Sequence, residues 1–106
     1  MELNNVKISN SESRGIYVAE ESTCTLSGDS SVSNMTYRGV EVRGTFTLNN
    51  GIIYGNHVEN SGAGVYVSEE GNFIMNGGSI YDNSSDLRGG GICVTEGTVT
   101  MNGGED

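Results

Sequence analysis

The chain has 106 residues, with 14 acidic against 5 basic side chains, 17 glycines and neither proline nor tryptophan. That length holds one small domain, and the formal charge of −9 argues against nucleic acid and against an anionic membrane surface as partners. No apolar run nears the roughly 18 residues of a spanning helix, no basic segment followed by an apolar one marks a signal peptide at Met1, and two cysteines are too few for a disulfide scaffold.

Taken in chain order, the first predicted elements are two short alternations in Leu3-Asn-Asn-Val-Lys-Ile-Ser-Asn10. Gly15-Ile16-Tyr17-Val18 follows, then Thr23-Cys-Thr-Leu-Ser27 and Ser31-Val-Ser-Asn34. The same order returns in Gly39-Val40-Glu41-Val42, Thr45-Phe-Thr-Leu-Asn49 and Ile52-Ile-Tyr-Gly-Asn56. It returns again in Gly64-Val65-Tyr66-Val67, Asn72-Phe-Ile-Met-Asn76 and Ser79-Ile-Tyr-Asp-Asn83. Gly91-Ile92-Cys93-Val94 and Thr98-Val-Thr-Met-Asn102 begin one more round. The first block recurs at steps of 24, 25 and 27 residues.

Alternation over four or five residues is the strand period, and no stretch shows the helical one. Three short strands per repeat of about 22–27 residues predict a parallel β-solenoid of about four rungs. A two-layer sandwich is the rival for many short strands, but it does not require the same blocks in the same order. Period two points Ile16, Val40, Val65 and Ile92 inward, with Val18, Val42, Val67 and Val94. Cys24, Phe46, Phe73 and Val99 point inward in the second block, as do Leu26, Leu48, Met75 and Met101. Ile8, Val32, Ile53 and Ile80 do so in the third. Like residues then stack at about 4.8 Å from rung to rung. Gly and Asn are expected at the corners because they tolerate positive φ.

These motifs resemble the repeats of bacterial surface proteins with a right-handed parallel β-helix, in particular the polymorphic outer-membrane and adhesin-like proteins. Gly89-Gly-Gly-Ile92 fits their Gly-Gly-x-Ile motif, with Gly64-Val65 a weaker copy. Phe46-Thr-Leu-Asn49 and Phe73-Ile-Met-Asn76 fit their Phe-x-x-Asn motif. Cys24 and Ser27 depart from the second motif in the first repeat, and Val99 departs in the last. The resemblance implies a non-catalytic passenger or adhesin-like segment displayed outside the cell, presenting flat β faces to glycans or to host or cell-surface proteins. Pectate lyases and polygalacturonases share the fold class, which makes a fragment of a carbohydrate-active enzyme the alternative. A structural spacer is the third reading. No cofactor or metal is expected.

Several constellations merit a site reading. Asn10, Asn34, Asn56 and Asn83 each close a third strand, and Asn49, Asn76 and Asn102 close a second. The expected role is a structural amide ladder inside the corners, where buried polar groups need partners. Glu20-Glu21, Glu69-Glu70 and Glu96 form an acidic corner with Arg43 between the pairs. It lacks the Asp/Asn alternation of a Ca²⁺ loop, so a solvated turn neutralised in part by Arg43 is expected. Arg14, Arg38 and Arg88 precede the first strand, with Glu12, Glu59 or Asp86 as expected counter-ions. Thr23/Thr25, Thr45/Thr47 and Thr98/Thr100 make an outward row, broken by Asn72/Ile74, that is too irregular to match ice.

The outward tyrosines Tyr17, Tyr66, Tyr54 and Tyr81 are the predicted ligand contacts, because an exposed ring stacks on a sugar and offers a hydroxyl. Catalysis is not expected. The aspartates lie in separate corners, and no carboxylate pair is singled out for glycoside hydrolysis. His57, the one histidine, is expected to be solvated without a Ser or Cys partner at its rung. Cys24 is expected in the core and Cys93 as an exposed thiol, about three rungs away and too far to bridge. The ends fall mid-repeat, so residues 1–106 are expected to be one segment of a longer array. End-to-end self-association is the other way to satisfy open edges.

Overall fold

The computed structural model describes residues 1–10, 12, 14–58, 64–85 and 90–104. Among these described residues fifteen short strands wind through a recurring order of sheets. The first rounds comprise β1 (Glu2–Asn4), β2 (Lys7–Ser9), β3 (Ile16–Val18), β4 (Thr23–Ser27), β5 (Ser31–Ser33), β6 (Val40–Val42), β7 (Thr45–Leu48) and β8 (Ile52–Tyr54). The later ones comprise β9 (His57–Val58), β10 (Val65–Val67), β11 (Gly71–Met75), β12 (Ser79–Tyr81), β13 (Ser84–Ser85), β14 (Ile92–Val94) and β15 (Gly97–Met101).

All pairings are parallel and join successive rounds. β1-β4-β7-β11-β15 form one sheet, β2-β5-β8-β12 a second and β3-β6-β10-β14 a third. This is a parallel β-solenoid of about four turns. The register follows the repeat residue by residue, with Ile16, Val40, Val65 and Ile92 aligned in one column and Cys24, Phe46, Phe73 and Val99 in another. A fourth, two-stranded sheet, β9-β13, was not expected from three alternations per repeat. His57–Val58 and Ser84–Ser85 are two residues each, too short to display a period. Both lie between the third and first blocks, where the longer repeats have room for an added strand.

The predicted inward columns form one continuous core, because each rung's apolar row is covered by its neighbour. Phe46 stacks on Phe73 with ring centroids 5.6 Å apart. The inward assignment weakens in the last round, where Val94 and Met101 are exposed. Among the described residues their strands pair on one side only.

Two kinds of corner explain the backbone. Asn10, Asn34, Gly55 and Asp82, with φ of 59°, 55°, 66° and 54°, follow the second sheet in aligned positions. Their left-handed conformation favours Gly, Asn and Asp. The glycine before the first block has another cause. A Cβ at Gly39 would lie 2.8 Å from the Gly64 carbonyl oxygen and 2.9 Å from Asn56 Nδ2. The requirement there is close approach of the next rung, not positive φ.

Candidate functional site

The asparagines divide by phase. Register places Met35, Asn56 and Asn83 one residue after the left-handed column of Asn34, Gly55 and Asp82. Asn56 is fully buried. Its Oδ1 accepts from the Met35 N–H at 3.0 Å, and its Nδ2 donates to Asn83 Oδ1 at 2.8 Å. Asn83 Oδ1 also accepts from the Asn56 N–H at 3.0 Å, and Asn83 Nδ2 donates to the Ile53 carbonyl at 3.0 Å. Asn10 and Asn34 are therefore not rungs of this ladder, contrary to expectation. They are exposed turn residues, and the inward position beside Asn34 belongs to Met35, which is buried. Sequence alignment on the asparagine letter was off by one residue, because Gly55 and Asp82 occupy the left-handed corner that Asn34 fills. Asn49, Asn76 and Asn102 do form a ladder, with Nδ2-to-Oδ1 bonds of 2.8 Å, but along the exposed surface rather than inside a corner.

The tyrosines also divide. Tyr54 and Tyr81 are register partners and stack with centroids 5.4 Å apart and 13° between planes. Tyr54, but not Tyr81, lines a groove at the corner between the first and second sheets. Its volume is about 410 Å³, within the range of small-molecule sites. Gly28, Gly51 and Gly78 form its floor, and Ser31, Ile52 and Ser79 stand in one outward column with Lys7. Asp29, Ser30, Asn50 and Tyr54 complete the lining. These glycines have φ of 70°, 116° and 82°, which suits residues without a side chain, and a Cβ at Gly51 or Gly78 would press on the carbonyl of the adjacent rung at 2.8 or 2.6 Å. One cation, one carboxylate, hydroxyls and an amide beside an aromatic ring suit a neutral polyhydroxy ligand.

Tyr17 and Tyr66 do not meet. Glu41 stands between them in the outward column of the third sheet. Its side chain is only 2% exposed. Arg14 Nε donates to Glu41 Oε1 at 2.6 Å and Arg38 Nη1 to the same oxygen at 3.0 Å. Arg43 Nη2 reaches Oε2 at 3.4 Å. The guanidinium of Arg38 lies 3.8 Å from the Tyr66 ring centroid and 4.5 Å from that of Tyr37. Arg14 lies 5.0 Å from the Tyr17 centroid and Arg43 5.6 Å. Burial alone would raise the Glu41 pKa, but the hydrogen bonds and charges of Arg14 and Arg38 outweigh it and hold the carboxyl below its ordinary value. The hydrogen bond to Glu41 raises Arg14 in turn.

This cluster corrects two assignments. Arg43 pairs with Glu41, not with the Glu20-Glu21 and Glu69-Glu70 corner. Glu41 also takes the place expected of Glu12 as counter-ion to Arg14 and Arg38. Arg88, Glu59 and Asp86 lie outside the described residues, as does Gly89. A glutamate in a column otherwise holding Tyr and Cys, with arginines at residues 14, 38 and 43, was the available signal. It needed the register to show that all three converge.

Cys93 is buried, 7% exposed, contrary to its predicted exposure. It continues the outward column beside Tyr66, whose hydroxyl lies 3.4 Å from Thr95 Oγ1. Both cysteines are free thiols. His57 is exposed but does have a rung partner, since its Nδ1 lies 2.8 Å from Ser84 Oγ across β9-β13. Neither residue lines the groove beside Tyr54. In the acidic corner, Glu21, Glu69 and Glu70 adopt positive φ and are exposed. Among the described residues no group of three or more His, Cys, Asp or Glu gathers as a metal site. No helix is long and apolar enough to cross a membrane.

The model of the right-handed β-helix region matches residues 1–103. No curated protein and no solved structure matches the chain.

Proposed function

The chain belongs to the right-handed β-helix family, and on that premise we propose that it is a non-catalytic, adhesin-like segment that binds glycans through the groove beside Tyr54 and Tyr81. The observation that carries this reading is Tyr54, which lines a polar groove of about 410 Å³ and stacks on Tyr81. Tyr81 is 44% exposed, so its ring is accessible to the C–H face of a sugar. Ser31, Ser79 and Asn50 supply hydroxyl and amide partners for sugar hydroxyls. The parallel rungs present these groups at a regular spacing, as a polymer requires.

Display outside the cell belongs to the same reading, and the resemblance to surface-protein repeats supports it. Against the enzyme alternative stands the groove's chemistry. Among the described residues Asp29 is the only carboxylate in its lining, whereas glycoside hydrolysis ordinarily uses two at a set separation. The test is calorimetric titration of the chain with cello-, chito- and galacto-oligosaccharides. At least one series should bind saturably, and Tyr54→Ala combined with Tyr81→Ala should weaken binding about thirtyfold, since each of the two rings contributes on the order of 1 kcal/mol. Absence of binding across the panel, or undiminished binding by the double variant, would overturn the reading. Shortened sugars after incubation would favour the enzyme.

A further inference from the structure

We propose that Asn50 is a site of spontaneous covalent self-modification, in which the main-chain nitrogen of Gly51 attacks the Asn50 side chain and the groove beside Tyr54 gains a second carboxylate. The argument begins with a dipeptide. Asn-Gly occurs at Asn50-Gly51, Asn76-Gly77 and Asn102-Gly103. A glycine after an asparagine puts no side chain in the way of that attack and leaves the backbone free to bend toward it. The dipeptide alone does not rank the three.

Register ranks them. Leu48 aligns with Met75 and Met75 with Met101. Asn49, Asn76 and Asn102 therefore share one column, and Asn50 falls in the next, with Gly77 and Gly103. This offset of one residue changes which nitrogen attacks. Beside Asn76 and Asn102 it is the nitrogen of Gly77 or Gly103. Their N–H groups are tied to the preceding rung, at the Leu48 and Met75 carbonyls, both at 3.3 Å. In the rung of Asn50 that place is taken by the N–H of Asn50 itself, which donates to the Leu26 carbonyl at 3.4 Å. The attacking nitrogen lies one position further on, at Gly51, whose N–H donates to no carbonyl among the described residues.

The side chains divide in the same way. Asn76 Nδ2 donates to Asn49 Oδ1 and Asn102 Nδ2 to Asn76 Oδ1, each at 2.8 Å. Asn50 is exposed, and among the described residues its amide has no hydrogen-bond partner. Only at Asn50 are both reacting groups unengaged.

The reaction balances with water alone. Gly51 N bonds to Asn50 Cγ and gives up its proton, while the Cγ–Nδ2 bond breaks and Nδ2 leaves as ammonia. A succinimide ring closes. Water then opens the ring at either carbonyl, giving aspartate or isoaspartate. Either product replaces a neutral amide by a carboxylate in a lining that already holds Asp29. The groove thus passes one way from a fresh form to a more acidic aged form. This holds whatever the groove binds, so it stands or falls separately from the proposed function.

Incubation of the folded chain at mildly alkaline pH, sampled by peptide mass mapping, tests it. Residue 50 should convert at least about tenfold faster than residues 76 and 102, because each of those must first break two hydrogen bonds. Both aspartate and isoaspartate should appear at residue 50. In concentrated urea the three asparagines should react at similar rates. Asn50→Gly, which places in this column the residue that Gly77 and Gly103 already supply, should remove the early acidic species on anion exchange. The proposal is overturned if residue 50 keeps its amide while the unfolded chain loses all three, or if residue 76 or 102 converts as fast in the folded chain. Aspartate without isoaspartate would overturn the attack by Gly51. An equal preference for residue 50 in urea would assign it to local sequence and overturn the structural argument.

Discussion

Glu41 has a 2% exposed side chain among Arg14, Arg38 and Arg43, so its ionisation is coupled to folding. Its folded pKa lies below the unfolded value of about 4.3. The stability it contributes is therefore complete above that value and is lost as pH falls through the folded pKa. In thermal melts Glu41→Gln should lower Tm at pH 7, and the gap to the unaltered chain should close as pH drops below about 4. Glu41→Ala should cost about 3 kcal/mol, the low end for breaking a buried pair, because the partly exposed Arg14 and Arg43 can turn to water. At the other buried polar position, Asn56→Ala leaves the Met35 N–H and a lone pair of Asn83 without their partner. Chemical denaturation should show a loss of about 1–3 kcal/mol. Asn34→Ala affects an exposed turn residue at φ 55° and should cost less. An Asn34 cost equal to that of Asn56 would restore the alignment that put both in one ladder.

At the scale of the strand, the sequence displayed the register almost completely. Alternation marked the inward residues, and the recurrence of Gly15, Gly39, Gly64 and Gly91 before the first block fixed which rung lies on which. What stayed hidden had physical causes. β9 and β13 are shorter than one period of any pattern. The third corner changes length and residue type between Asn34, Gly55 and Asp82, so a letter match missed a conformational match. Burial of Glu41 and Cys93 depends on neighbouring outward side chains, which alternation along one strand does not report. The candidate site was legible only as a set of tyrosines. Its division into a groove at Tyr54 and Tyr81 and a cationic cluster at Tyr17 and Tyr66 arose from which residues share a column. Phe46 and Phe73 test the element scale directly. Phe46→Ala removes a fully buried ring from the middle of its sheet and should cost about 3–5 kcal/mol in denaturation. Val99→Ala, in the half-buried terminal row, should cost clearly less.

For the whole molecule, the parallel rungs do two things at once. They bury apolar side chains from every sheet in one core, and they repeat outward groups at a fixed rise. Among the described residues β1 and β15 each pair on one side only, which is the arrangement that end-to-end association between copies would complete. Mass growing with concentration in light scattering would reveal such association, and a constant monomer mass would exclude it.

The central claim, a non-catalytic glycan site beside the tyrosine pair, is tested most directly by backbone amide NMR during titration with the oligosaccharide that binds best among the cello-, chito- and galacto- series. Shifts should concentrate at Ser31, Gly51, Ile52, Tyr54, Ser79 and Tyr81, and the sugar should be recovered at its original length. Shifts confined to other faces, or a shortened sugar, would contradict it.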